Sequence, residues 1–159
     1  MKVDYIEMRI PSKPDFVGVV RLTLSGIASR MGYSYEDIED LKIATSEAVT
    51  NAVNHAYNEG EDGEITIGFG MYEDHLQINV SDSGKSFNVD KAKEELGPYN
   101  SSTSLEVMNE GGLGLYLMDT LMDDVKINNH AGVSVLMKKY LYRERVGSDE
   151  ESIATNHTE

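Results

Sequence analysis

Residues 3–10 (VDYIEMRI) alternate apolar and polar side chains, the period-two signature of a half-buried strand, and Pro11 ends the run. Pro14 and Asp15 then supply helix-start signals. Phe16, Val19, Val20, Leu22, Leu24, Ile27 and Met31 recur at helical spacing until Gly32 stops them. Ser34 reads as a new N-cap, with Asp37 three residues on. It opens the longest helix, Tyr35 to about Tyr57, whose inner face is marked by Ile38, Leu41, Ala44, Ala48, Ala52 and Ala56. After a glycine- and acid-rich turn over 58–63, EITIGFGMY and LQINVSD predict an antiparallel hairpin joined through Glu73 and Asp74.

From Gly97 to Gly112 the chain turns polar and turn-rich, with only Leu105, Val107 and Met108 to anchor it, and a mobile lid is expected at about 97–111. An apolar helix follows over 114–122, then DVKINN, a turn at 130–132 and VSVLMKKYLY as the final strand. The expected organisation is one domain over residues 1–143, with 144–159 a disordered tail. The order strand, helix, helix, strand, strand, lid, helix, strand, strand lacks the strict alternation of a parallel doubly wound sheet. It predicts an α/β two-layer sandwich, with a mostly antiparallel mixed sheet and helices on one face.

Charge narrows the function. Twenty-eight acidic against fourteen basic residues give a net charge of −14, which repels a polyanion at long range and argues against direct nucleic-acid binding. A nucleotide remains allowed, because magnesium and backbone N–H groups at a helix start can hold phosphates without lysines. The absence of cysteine removes disulfides, thiol nucleophiles and Cys-based zinc sites. The four histidines show no ligand spacing, and no apolar run approaches the ~20 residues of a membrane span, so a cytoplasmic protein with no membrane contact is expected.

Three motifs can form one site. Glu47, Asn51 and His55 lie at i, i+4 and i+8 in SEAVTNAVNHAY, which places them on one helix face. Taken singly, each is a solvated polar residue opposite an alanine face. Asp82-x-Gly84 ends a strand, where a carboxylate can face a pocket and glycine lets the backbone turn beside a ligand; alone it is an ordinary turn. Glu110-Gly111-Gly112-Leu113-Gly114-Leu115 runs into a helix, so bare backbone N–H donors can meet phosphate oxygens; the plain alternative is a flexible helix start. It matches neither the Walker spacing nor the dinucleotide fingerprint.

In this order, SEAVTNAVNHAY, DSGKSF and EGGLGLYLMDTLMDDV resemble the three nucleotide-binding boxes of the Bergerat-fold (GHKL) superfamily of ATPases and kinases. A glutamate one turn before the asparagine, together with the N-terminal IEMRIPSKPDFVGVVRLTLSGIASRMGY, is similar to the bacterial anti-sigma serine kinases. That resemblance, spanning about Tyr5 to Arg145, implies an ATP- and magnesium-dependent protein-serine kinase. It assigns Asn51 as magnesium ligand, Glu47 as the group that orients or deprotonates the attacking hydroxyl, and Asp82 as adenine reader. Gly84, Gly111, Gly112, Leu113 and Gly114 become backbone contacts to nucleotide. His55 falls near the phosphates, and Ser134 takes a hydroxyl position near adenine where threonine is commoner.

The implied partners are a sigma factor of the sigma-B type, which the protein inhibits, and a STAS-type anti-sigma factor antagonist, which it phosphorylates on serine. A homodimer is also implied, with Arg21 on the first helix a candidate for the partner face; the plain alternative is a solvated arginine. Two other readings stay open. One is a histidine-kinase-like catalytic domain, which needs an upstream helix pair for which no room is expected. The other is a non-catalytic module that sequesters a partner in a nucleotide-dependent way.

Overall fold

The computed structural model describes residues 3–58, 63–82, 114–128 and 134–142. β1 (Asp4–Pro11) leads through a short 3-10 turn (Pro14–Phe16) into α1 (Val17–Met31), followed by α2 (Tyr35–Asn58). The hairpin strands β2 (Glu64–Met71) and β3 (His75–Ser81) come next, then α3 (residues 114–121), β4 (Asp124–Asn128) and β5 (Ser134–Tyr140). The sheet order is β1-β2-β3-β5-β4, and all four pairings are antiparallel. The mostly antiparallel α/β sandwich anticipated from the element order is therefore wholly antiparallel among the described strands.

The pleat sorts the side chains. Ile65, Ile67 and Phe69 on β2, Leu76, Ile78 and Val80 on β3, and Val135 and Met137 on β5 alternate onto one face and are buried. Against them pack Val20, Leu24 and Ile27 of α1, Leu41, Ala44, Ala48 and Ala52 of α2, and Met118 of α3. The small alanines let the α2 backbone lie close to the sheet, so this helix passes over the central strands rather than riding on bulky side chains.

Two positions counted in the α1 period turn away from this core: Val19 is 47% and Leu22 78% exposed. Three residues apart, they keep helical spacing with each other while lying off the Val20, Leu24 and Ile27 stripe that meets the sheet.

The helix boundaries follow local chemistry. Gly32 takes the left-handed conformation (φ 98°), and its N–H donates to the carbonyls of Ala28 and Ser29, closing α1. The Asp37 N–H donates to Ser34 Oγ at 3.1 Å, which is the N-cap expected for α2. Between the helices, the Tyr33 hydroxyl donates to the Lys139 carbonyl at 2.5 Å and accepts from the Leu76 N–H at 2.9 Å, fixing the interhelical turn to β3 and β5. Lys139 Nζ in turn donates to the Leu121 carbonyl at the end of α3 (2.6 Å) and lies 3.8 Å from Asp40 and 4.0 Å from Asp37. One cation thus joins the first turns of α2, the last turn of α3 and β5.

The lid expected at 97–111 and the tail expected at 144–159 lie outside the described residues. Among the described residues, no helix is long and apolar enough to cross a membrane.

Candidate nucleotide and catalytic site

The site is organised by the second half of α2. Ala48 and Ala52 are buried against the sheet, so Glu47, Asn51 and His55 emerge together at the border of that contact, each half-buried. Successive members are one turn, about 6 Å of rise, apart.

Two further segments converge on this face. Asp82 directly follows β3, whose last residue, Ser81, stands opposite Thr66 of β2 and Ser134 of β5. His55 Nδ1 and Asp82 Oδ2 are 2.5 Å apart, with the Asp82 side chain only 6% exposed and that of His55 29%. Removing a carboxylate from water is costly unless a donor meets it, and the imidazole N–H does so here. The pairing joins the first motif to the second.

Gly114, the first described residue of α3, joins the third to the first. A β-carbon built there would lie 2.7 Å from Glu47 Oε2 and 3.5 Å from Asn51 Nδ2. A side chain at this position would require the Glu47 carboxylate to shift, so the glycine lets α3 and the Glu47 turn of α2 meet with the carboxylate where it stands.

Of the residues singled out in the sequence, Glu47, Asn51, His55, Asp82 and Gly114 come together. Ser134 sits at the first position of β5, across from the residue before Asp82, and so belongs to the same end of the sheet. Gly84, Gly111, Gly112 and Leu113 lie outside the described residues. Arg21 is exposed on α1 and takes no part in this cluster. The His55–Asp82 pairing is the feature sequence reading missed. The sequence resemblance places His55 near the phosphates, and nothing in the residues around His55 or Asp82 points to their pairing.

The match to known proteins follows this geometry. Residues 10–139 match the family described as histidine kinase-like ATPase domain, and the chain belongs to that family. Within that class it is 60% identical over 152 residues to the serine-protein kinase RsbW of Oceanobacillus iheyensis, covering 96% of each chain. Its identity to the RsbW of Bacillus subtilis is 59% over 146 residues, covering 92% of this chain and 91% of the other. The RsbW of Listeria monocytogenes is 53% identical over 152 residues, 96% of this chain and 97% of that one.

Among solved structures, the RsbU and RsbW domains of a Mycobacterium tuberculosis protein align with a TM-score of 0.60 at 19% identity, over 86% of this chain and 32% of that chain. The SiaB–SiaC complex of Pseudomonas aeruginosa aligns at 0.55 and 10% identity, over 86% and 88%. At such identities these two likenesses concern the fold.

Proposed function

We propose that this protein is an ATP-dependent protein-serine kinase that doubles as an anti-sigma factor: it binds and inhibits an alternative sigma factor of the sigma-B type and phosphorylates that factor's antagonist on serine. The observation that carries the chemistry is the closeness of the Gly114 backbone position to Glu47 and Asn51, which sets a candidate proton acceptor beside the glycine motif read as the phosphate contact. RsbW relatives at about 60% identity over nearly the full chain support the same activity.

Phosphoryl transfer spreads negative charge over the moving group, so the protein's task is positioning and electrostatic stabilisation. The N-terminal amides of α3 face the phosphates and offset that charge. Glu47 accepts the proton of the incoming serine hydroxyl as its oxygen bonds to the terminal phosphorus of ATP and the bond to the bridging oxygen breaks, with ADP as the leaving group. Asp82 accepts a hydrogen bond from the exocyclic amine of adenine, and Ser134, at the same sheet end, offers a hydroxyl near the base.

Magnesium fits the residues present. Asn51 carries a neutral amide oxygen as a possible ligand, and its amide nitrogen is the atom that faces the Gly114 position. A single protein ligand suits an ion that keeps waters and takes substrate phosphates as its other ligands. When bound, the ion would supply charge neutralisation at the phosphates.

The partners follow from the same reading: a sigma factor, a STAS-type antagonist as substrate, and a second copy of this chain in a homodimer, with exposed Arg21 of α1 on the partner face. With a transcription factor as target, the protein works in the cytoplasm. At −14, its surface repels a product that has just gained close to two negative charges, which favours release of the phosphorylated antagonist.

Incubation with labelled ATP, magnesium and a STAS-type antagonist tests the proposal. Phosphoserine on the antagonist is the expected result; antagonist binding without phosphate transfer would reduce the protein to a sequestering module.

A further inference from the structure

His55 stands at the adenine end of the site. From the contact between its Nδ1 and Asp82 Oδ2, we infer that His55 is a positioning residue for base recognition, one that holds Asp82 as an oriented hydrogen-bond acceptor and so sets the preference for adenine over guanine nucleotides. The inference rests on Asp82 being the adenine reader.

A carboxylate can accept hydrogen bonds at both oxygens in any rotamer its surroundings permit. At Asp82 the surroundings permit little, since the side chain is 6% exposed and Oδ2 is engaged by the ring. The pairing requires the ring proton on Nδ1, so the donor direction is fixed by the imidazole plane. α2 carries that plane two turns beyond Glu47, in the turn that meets the end of β3. With Oδ2 held, the carboxylate plane is set and its acceptor edge is presented to the base.

The orientation bears on selectivity as well as on strength. A carboxylate accepts from the amine of adenine and repels the acceptor oxygen that guanine presents at the same place. Both effects depend on the carboxylate being held toward the base, so loss of the imidazole should relax base selectivity, not merely weaken binding. A phosphate-binding histidine behaves differently: its loss weakens every triphosphate alike, whatever the base.

The test uses the full chain in two variants, His55→Leu and His55→Asn; the asparagine amide can place an N–H near the position of Nδ1. ATP and GTP are titrated by calorimetry, and magnesium tripolyphosphate serves as a probe without a base. His55→Leu is expected to lower the ATP-to-GTP affinity ratio at least tenfold. Tripolyphosphate affinity should stay within about twofold, which also reports an intact phosphate region. Phosphorylation by this variant should show the change in KM for ATP, with kcat little altered, and His55→Asn should recover most of the ratio. A wild-type ratio in His55→Leu, or an equal loss for ATP, GTP and tripolyphosphate, overturns the inference. Asp82→Ala separates the two levels: unchanged selectivity there removes the adenine reading itself, whereas selectivity lost in Asp82→Ala and kept in His55→Leu overturns the role of His55 alone.

Discussion

Gly114 and Glu47 compete for one space, for a β-carbon on the glycine would come within 2.7 Å of the glutamate Oε2 and make that carboxylate shift. The position of the Glu47 carboxylate on α2 therefore depends on a glycine in α3, although 67 positions separate them in the sequence. Gly114→Ala is expected to push Glu47 aside and lower phosphoryl transfer by about 10²-fold, the usual effect of displacing a reacting group by about 1 Å. Nucleotide affinity should fall less. Single-turnover phosphorylation beside ATP titration measures both, and a wild-type rate in Gly114→Ala would show that Glu47 does not need its present position.

Glu47→Ala and Asn51→Ala should part company. On the proposed mechanism the first removes the proton acceptor of the transition state and should slow transfer by roughly 10² to 10⁴, leaving ATP and sigma binding nearly intact. The second removes the proposed magnesium ligand, so affinity and turnover should fall together. Steady-state kinetics with calorimetry distinguishes these patterns, and full activity in Glu47→Ala would end the proposed mechanism.

Asp82→Ala should weaken ATP binding by about 1.5–3 kcal/mol, the worth of a hydrogen bond to a charged group, or roughly ten- to hundredfold in Kd. Binding of tripolyphosphate should persist. Equal loss for both ligands would place Asp82 with the phosphates instead of the base.

Lys139 offers a test of the frame. Its ammonium is 12% exposed and donates to the Leu121 carbonyl, with Asp37 and Asp40 close by. Lys139→Met keeps much of the stem and removes the charge, so urea denaturation should report a loss of about 1–3 kcal/mol. Because α3 then loses the tie at its C-terminal end, the rate of phosphorylation should also decline. No change in the urea midpoint would mean that the stem, not the ammonium, joins these elements.

Alkaline pH should loosen the fold through two phenols. Burial, reinforced by the charge of Glu7, pushes the Tyr5 hydroxyl up to about 12. Burial likewise raises Tyr33, against the opposing effect of the Leu76 N–H. A tyrosine whose folded value lies above the unfolded value of about 10 keeps its proton longer in the native state. The associated stability is complete below pH ~10 and drains away as the pH climbs toward ~12. Urea midpoints between pH 8 and 11.5 should fall at the upper end, and the fall should be shallower in a Tyr5→Phe, Tyr33→Phe variant. An equally steep decline in that variant would assign it to other groups.

Much of this fold was legible in one dimension, because its elements are long and their periods clean. The Ser34 cap, the Gly32 stop and the alanine stripe of α2 each combine a local conformational cause with a repeating pattern, and all three appear in the structure. The three motifs could likewise be assigned to one site by their order. Burial along α1 was harder to read: Val19 and Leu22 keep helical spacing with each other but belong to a different face from Val20, Leu24 and Ile27, and spacing alone does not say which of two apolar faces meets the sheet. The partnership of His55 and Asp82 was beyond reach altogether. It depends on where the end of β3 meets α2, a consequence of sheet packing that neither residue's neighbours encode.

Because α2 is a continuous helix, it also acts as a ruler for the chain that leaves and re-enters it. The segment 83–113 departs just after Asp82, held by the His55 turn, and returns at Gly114, held against the Glu47 and Asn51 turns. Both anchor points are set by helical rise, about 12 Å from Glu47 to His55. The span between them is set by α2, so a ligand reaching from the Asp82 end to the Gly114 end meets a fixed gauge of about two helical turns.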